Sequence, residues 1–108
     1  MRLVVFEGNT LDAIRQFPDD ARIRAGFEID RVQRDLEPDN WKPFSSIGQG
    51  VREIRIQIGE QFRVIYLAKF DNKVHVLHVF QKKTQKTRLS DIEIAKNRLK
   101  SVIRRYQK

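Results

Sequence analysis

Cysteine is absent from this 108-residue chain. Its absence excludes disulfide cross-links, thiol nucleophiles and zinc–thiolate sites, and it fits a reducing compartment. No apolar run reaches membrane-spanning length, and the apolar start of the chain ends at Glu7, too early for a signal peptide. We therefore expect a cytoplasmic protein with no membrane partner. With only five glycines and three prolines, and no linker or internal repeat, residues 1–108 predict a single domain.

Acidic residues are scarce in the last quarter of the chain. Residues 81–108 hold ten lysines and arginines but only Asp91 and Glu93, whereas residues 1–80 hold twelve residues of each sign. The formal charge of +8 therefore comes entirely from this segment. A strand that runs from apolar residues into Lys82 and Lys83 would hold these charges on a rigid support, which suits a polyanion such as RNA. The alternative is a solvated charged end that keeps the protein soluble.

A helical hairpin is predicted in the first half, after a short strand over residues 2–6. Asn9 is a typical start for the first helix, which Pro18 ends. The second helix begins at Asp19 and is ended by Pro38, and its apolar residues recur at helical spacing. This core-facing stripe consists of Ala25, Ile29, Val32 and Leu36.

Two further features of this region call for an interpretation. Gly26 lies inside the second helix, where glycine lowers helix stability, and this suggests close packing against a neighbouring element. Residues 39–46 are predicted to form a loop. Its Trp41, the only tryptophan of the chain, is expected to fold inward over an edge of the core.

Alternation of apolar and polar residues in the second half predicts β-strands. Residues 51–58, 62–68 and 73–82 form three antiparallel strands. Ser90 with Glu93 fits a capping box for a helix that extends to Tyr106. The apolar stripe of this helix consists of Ile92, Ala95, Leu99, Val102 and Tyr106. The predicted fold class is α+β. A small twisted, mainly antiparallel four-stranded sheet carries an N-terminal helical hairpin and a C-terminal helix, in the order β-α-α-β-β-β-α.

Charged residues on these strands form the candidate site. Glu53 and Arg55 lie on the outward face of the first strand, and Arg63 and Lys83 both occupy odd positions on the next two. If the strands pair in sequence order, Arg55, Arg63, Lys82 and Lys83 converge at one end of the sheet. Guanidinium and ammonium groups placed there would stabilise negative charge on a phosphate.

Each of these residues also has a purely structural interpretation. Arg63 fits an ion pair with Glu53 or Glu60 across the hairpin, and Arg55 fits a solvated cross-strand partner. The two lysines fit an edge strand that charge protects from aggregation. His75 and His78 lie on opposite faces of their strand, so we expect hydrogen-bonded or partly exposed imidazoles and no metal site.

Several stretches of the chain resemble the RelE superfamily of bacterial toxins, and more narrowly its phage-derived HigB-like branch. The likeness covers nearly the whole chain, and the last stretch is the most distinctive. The stretches are Phe17-Pro18-Asp19 with Arg22, Trp41-Lys42-Pro43, Ile47 to Arg55, Phe62 to Tyr66, and Val76 to Thr87 with its Gln81-Lys82-Lys83-Thr84 centre.

This resemblance implies the toxin of a type II toxin–antitoxin system. Such a toxin cleaves messenger RNA without a metal or cofactor, often on the ribosome, and an antitoxin with a helix-turn-helix domain holds it inactive. Basic residues on the three strands match at Arg55, Arg63 and Lys83, or Lys82. With Glu53 added as a candidate base, we predict Arg55, Arg63, Lys83 and Glu53 as the catalytic set, and Lys82, Lys86 and Arg88 as the RNA-binding set.

The chain departs from the best-known cleaving toxins because it has no tyrosine in the segment after Lys83. Tyr66 and Tyr106 both fit core positions, so the base is either Glu53 or a lysine whose pKa its cationic neighbours lower. Two other functions therefore stay open. One is a ParE-like inhibitor of DNA gyrase, from the same superfamily, and the other is an RNA- or ribosome-binding module without catalysis.

Overall fold

The computed structural model describes residues 1–107, so Lys108, which the sequence places in the last basic turn of the chain, lies outside the described residues. No helix among residues 1–107 is long and apolar enough to cross a membrane. The strands are β1 (Leu3–Phe6), β2 (Trp41–Pro43), β3 (Arg52–Ile58), β4 (Glu60–Leu67) and β5 (Lys73–Lys82), and the helices are α1 (Thr10–Arg15), α2 (Asp19–Gln33) and α3 (Leu89–Tyr106). A 3-10 turn, Phe70–Asn72, joins β4 to β5.

The five strands form one sheet in the spatial order β1-β5-β4-β3-β2. β1 runs parallel to β5, and the other neighbours are antiparallel. The α+β class is confirmed, but the four-stranded sheet is wrong because β2 forms inside the predicted loop 39–46. β2 pairs with Arg52–Ile54 at the edge of the sheet, where Pro43 removes no ladder hydrogen bond from a central strand. The order is thus β-α-α-β-β-β-β-α.

Each face of the sheet has its own apolar core. On one face, α1 and α2 pack against β3, β4 and β5 through Ile29, Ile54, Phe62 and Val76, among others. On the opposite face, α3 packs on β5 and closes a second core; its buried members are Ile47, Val51, Ile65, Leu67, Leu77, Ala95, Leu99 and Val102. The predicted α3 stripe is confirmed at Ala95, Leu99 and Val102.

Neither α1 nor α3 begins with the side-chain cap that the sequence predicts. Helix α3 begins at Leu89 with Arg88 as its N-cap residue, and no side-chain cap bond forms there, so the Ser90–Glu93 capping box is wrong. Asn9 does occupy the N-cap position of α1 without a cap bond. Its Oδ1 instead accepts a hydrogen bond from Nη2 of Arg98 on α3 at 2.9 Å, which ties α3 to the start of α1.

Helix α2 is shorter than predicted. It ends at Gln33 because Asp35 adopts φ of 62°, so Leu36 leaves the helical stripe and is 49% exposed. The close packing expected at Gly26 is also wrong within this chain, since no atom of residues 1–107 lies within 4 Å of the position its Cβ would take.

A β-bulge interrupts the pairing of β4 with β5. Ile65 lies opposite His78, whereas Tyr66 lies opposite Val76, so Leu77 has no direct partner. A bulge adds one residue to one strand and therefore shifts the alternation of side chains beyond it. As a result Leu77 and His78 both belong to the α3 side of the sheet, and every β5 residue after them changes face relative to simple alternation.

Candidate functional site

Strand pairing places charged residues of β3, β4 and β5 on the same face of the sheet as α3. Arg55 lies opposite Arg63, and Arg63 lies opposite Phe80. Directly opposite residues share a face. The neighbouring row contains Gln61 opposite Lys82. Three adjacent strands thus contribute to one charged surface, which we call the charged face and define as Glu53, Arg55, Arg63 and Lys82.

Glu53 lies at the centre of the charged face. Its side chain is 4% exposed, and its Oε1 lies 3.0 Å from Nε of Arg55 and 3.6 Å from Nε of Arg63. The second carboxylate oxygen, Oε2, is buried and has no hydrogen-bond partner among residues 1–107. A buried carboxylate oxygen without a partner is costly in a folded protein, so it indicates a group that a ligand can use.

Arg63 is the most buried cation of this face, with a side chain that is 6% exposed. It donates to Oε1 of Gln61 at 2.8 Å and to the carbonyl of Phe62 at 3.2 Å. Burial lowers the pKa of Arg63 and the charge of Arg55 lowers it further, while Glu53 raises it. The ion pair between Arg63 and Glu53, one of the structural alternatives, is therefore present.

Lys82, rather than Lys83, faces this cluster. Burial lowers the pKa of Lys82, the charges of Arg63 and Arg55 lower it further, and Glu53 opposes them. The prediction that Lys83 shares a face with Arg63 is wrong because the bulge at Leu77 reverses the alternation, and β5 ends at Lys82.

Lys83 stays close to the charged face although it is not part of it. Together with Lys82 it lines a shallow depression of about 570 Å³ at the end of β4 and β5. Lys82, Lys83 and Arg88 also border a cavity of about 10 Å³ beside Phe80 and Asp91. These three cations therefore lie together.

Lys86 is the member of the predicted RNA-binding set that joins neither group. It lies exposed in the loop between β5 and α3. Its carbonyl accepts a hydrogen bond from the Thr84 hydroxyl at 2.5 Å. This contact constrains the backbone of the loop and leaves the ammonium group at the surface.

Sequence reasoning missed His78 as part of this region. Its Nε2 lies 2.7 Å from Oδ1 of Asp91 in the first turn of α3, and its ring stacks on Phe80 at 5.2 Å. Burial lowers the pKa of His78, the charge of Arg98 adds to this, and Asp91 opposes it. The pair fixes the start of α3 beside the charged face. The bulge, which no sequence signal marks, places His78 on the α3 side of the sheet, the same side as His75, so the prediction that the two histidines lie on opposite faces is wrong.

Lys42 was also missed. It lies directly opposite Glu53 on β2 and is exposed. The sequence predicts a loop over residues 39–46, and a loop gives Lys42 no cross-strand partner. The strand adds a further cation at the rim of the charged face.

Neither tyrosine lies beside Glu53. Tyr66 belongs to the core under α2, and burial raises its pKa while Arg52 lowers it. The Tyr106 hydroxyl lies 3.3 Å from Nε2 of His75, and its ring stacks on Phe70 at 4.9 Å. His75 is seven residues from Lys82 along β5, about 23 Å in an extended strand. Both tyrosines are thus structural, as expected.

Comparison with known proteins adds one family. A family model described as "Phage derived protein Gp49-like (DUF891)" matches residues 12–100, which include every residue of the charged face. No curated protein matches the chain. The phage-derived part of the resemblance is confirmed by this match.

Proposed function

Because the chain belongs to the Gp49-like family of phage-derived proteins, we propose that it is a RelE-like toxin of the HigB branch. In this proposal it cleaves messenger RNA without a metal and thereby stops translation. The observation that carries the proposal is the buried Glu53, whose Oε2 has no partner in residues 1–107, enclosed by Arg55 and Arg63 and adjoining Lys82.

Cleavage of RNA by its own 2′-hydroxyl needs a base, an acid and cations that stabilise the charge of the transition state. Glu53 is the base in this proposal. Its Oε2 has no partner in residues 1–107 but is buried, so the approach of the RNA has to expose it before it accepts the 2′-hydroxyl proton, while Oε1 stays paired with Arg55 and Arg63. Arg63 is a positioning residue, because Nη1 donates to the Phe62 carbonyl, Nη2 donates to Gln61, and Nε lies 3.6 Å from Oε1 of Glu53.

Arg55 and Lys82 bind the scissile phosphate. The Arg55 side chain is 30% exposed, and only its Nε pairs with Glu53, so the outer edge of the guanidinium faces solvent. Lys82 has a lowered pKa, which brings its proton closer to neutral pH and makes it the candidate acid for the leaving 5′-oxygen. Lys83, Lys86 and Arg88 hold the RNA backbone beside this point.

The loop and the start of α3 supply the electrostatic part of binding. Lys83, Lys86 and Arg88 are exposed around the end of β5. Contacts of this kind act on phosphates regardless of sequence and weaken as salt rises. We propose mRNA on the ribosome as the substrate, since a protein with net charge +8 is attracted to that polyanionic surface.

An antitoxin would have to cover or distort the charged face. We propose a partner with a helix-turn-helix domain and an acidic segment that pairs with Lys82, Lys83 and Arg88. Co-expression with the adjacent gene and a pull-down should recover a complex. If the complex forms equally well after all three are changed to glutamine, the proposed contact is wrong.

Glu53→Gln tests the proposed chemistry most directly. Glutamine keeps the shape of the side chain but cannot accept the proton, so transcript cleavage and growth arrest should fall by about 10²- to 10⁴-fold. Glu60→Gln on the same hairpin is the matched control, because Glu60 is exposed and contacts only Gln81. Mapping of transcript 5′ ends after brief induction measures the effect, and thermal melting checks that both variants fold.

The outcomes separate the candidate functions. Growth arrest with intact transcripts and broken DNA would identify a gyrase inhibitor. Binding to ribosomes without new transcript ends would identify a non-catalytic module. If Glu53→Gln cleaves as fast as the parent protein, Glu53 is not the base.

A further inference from the structure

The outward face of α2 carries exposed apolar side chains, and among them the Phe27 ring is contacted by the guanidinium groups of Arg24 and Arg31, at 5.3 and 5.9 Å from its centre. Ile23 is 66% exposed and Phe27 is 48% exposed. Between them lies Gly26, and no atom lies within 4 Å of the position its Cβ would take. Glycine inside a helix lowers its stability by about 1 kcal/mol relative to alanine. The glycine leaves an open notch beside the half-exposed Phe27 ring.

Charges are arranged with opposite sign at the two ends of the same face. Asp19 lies in the first turn of α2, and Arg34 is its C-cap residue. Both are exposed and now engaged within the helix, Asp19 with Arg22 at 3.2 Å and Arg34 with Asp30 at 2.8 Å. Exposed pairs of this kind contribute little and rearrange easily.

We propose that α2 is a homodimer interface, in which it packs antiparallel on α2 of a second copy. With the two-fold axis between positions 26 and 27, each Phe27 lies over the partner's Gly26, and each Asp19 faces the partner's Arg34. Successive residues of a helix are about 100° apart, so both pairs fall on the same outward stripe. A two-fold interface requires such a self-complementary surface.

The length of α2 limits the area that the proposed dimer can bury. Fifteen residues make a helix about 22 Å long. One pair of helices of this length buries an area at the low end for specific interfaces, so we expect a weak dimer with a dissociation constant of roughly micromolar size or above. Helix α2 covers the side of the sheet opposite Glu53 and Arg63. Dimerisation therefore leaves both charged faces open and does not depend on the proposed function.

Gly26→Gln provides the first test. Glutamine fills the notch without adding apolar surface, and its higher helix propensity stabilises the monomer because nothing crowds the site. In sedimentation equilibrium from about 1 to 200 µM, the parent chain should dimerise, and Gly26→Gln should weaken the dimer at least about tenfold. Its melting temperature, measured at the lowest concentration, should equal or exceed that of the parent. Asn97→Gln on the exposed side of α3 is the control for propensity alone, and it should leave the dimer unchanged.

Charge reversal provides the second test. Asp19→Arg and Arg34→Asp should each weaken the dimer, and the double variant should restore it. Asp12→Arg on α1 removes the same type of exposed charge from a helix outside the proposed interface, so it should leave the dimer unchanged. A chain that stays monomeric at every concentration overturns the proposal. So does a dimer that tolerates Gly26→Gln, or an α2 face that only the antitoxin protects in cross-linking.

Discussion

Lys82 and Lys83 are adjacent and carry the same charge, yet the structure gives them different surroundings. Lys82 lies opposite Gln61 on the charged face, and burial together with the charges of Arg63 and Arg55 lowers its pKa. Lys83 is exposed just beyond the end of β5. Simple alternation along β5 gives the opposite assignment, because it ignores the bulge at Leu77. Lys82→Ala and Lys83→Ala therefore test the geometry of the site, and Lys83→Ala serves as the control for loss of a lysine charge.

The expected sizes follow from these surroundings. A preorganised charge that acts on the transition state is worth about 10²- to 10³-fold in rate, or about 3–4 kcal/mol. An exposed lysine that only contacts an RNA phosphate costs about tenfold or less and reduces the salt dependence of binding. Lys82→Ala should therefore lose much more activity than Lys83→Ala. Neither is a core residue, so the free energy of unfolding should change by less than about 0.5 kcal/mol in both.

Single-turnover cleavage of a short RNA, or growth arrest after induction where ribosomes are needed, measures the difference. Lys82→Arg adds a pH test. A lysine with a lowered pKa loses its charge at a lower pH than a free lysine, so phosphate binding by the parent should weaken early as pH rises. Arginine stays charged and should bind phosphate further into the alkaline range, while a slower cleavage step would reflect the lost acid. A larger loss in Lys83→Ala than in Lys82→Ala would refute the placement of both residues.

Two further predictions concern α3. A Cβ at Gly48 would lie 2.4 Å from Cδ2 of Leu99, so Gly48→Ala should lower the free energy of unfolding by about 1–3 kcal/mol in urea titrations. In a Leu99→Ala background the same substitution should cost much less, because the clashing atom is gone. Additive costs of the two substitutions would contradict this contact. Burial lowers the pKa of His78, so the neutral imidazole contributes its full stability above the ordinary histidine pKa of about 6.5 and loses it as pH falls through the lowered pKa of the folded state. Between about pH 7.5 and 5, the free energy of unfolding should therefore fall less in His78→Gln than in the parent. Equal pH dependence in the two proteins would contradict this.

Periodic elements of the fold could be predicted from the sequence. The alternation around Ile54 and Ile56 fixes which face of β3 is apolar, and the stripe through Ala95, Leu99 and Val102 fixes the inner face of α3. Both signals extend over several repeats, so one atypical residue does not change the result. The sequence also predicted that Arg55 and Arg63 converge, and the structure sets them opposite each other, but the exact register follows from Gly59 alone separating β3 from β4, which the sequence did not predict.

Short and context-dependent elements could not be predicted. Strand β2 has three residues, ends in proline and shows no alternation, and it exists because β3 offers it an open edge. The Ser90–Glu93 spacing fits a capping box, yet the N-cap of α3 lies two residues earlier, at Arg88, where the hydrogen bond between His78 and Asp91 holds the first turn. In both cases a tertiary contact decides the local structure.

The bulge at Leu77 shows why the second half of the site needed coordinates. The centre of β5 is apolar on both faces apart from His75 and His78, and neither histidine marks where the alternation changes. Since the side-chain period of a strand is two, one extra residue reverses the face of everything that follows. The bulge therefore places Lys82 on the face of Arg63, where simple alternation would have placed Lys83. The register of this strand depends on contacts with residues distant in the sequence. His78 makes two of them, because it lies opposite Ile65 on β4 and contacts Asp91 of α3.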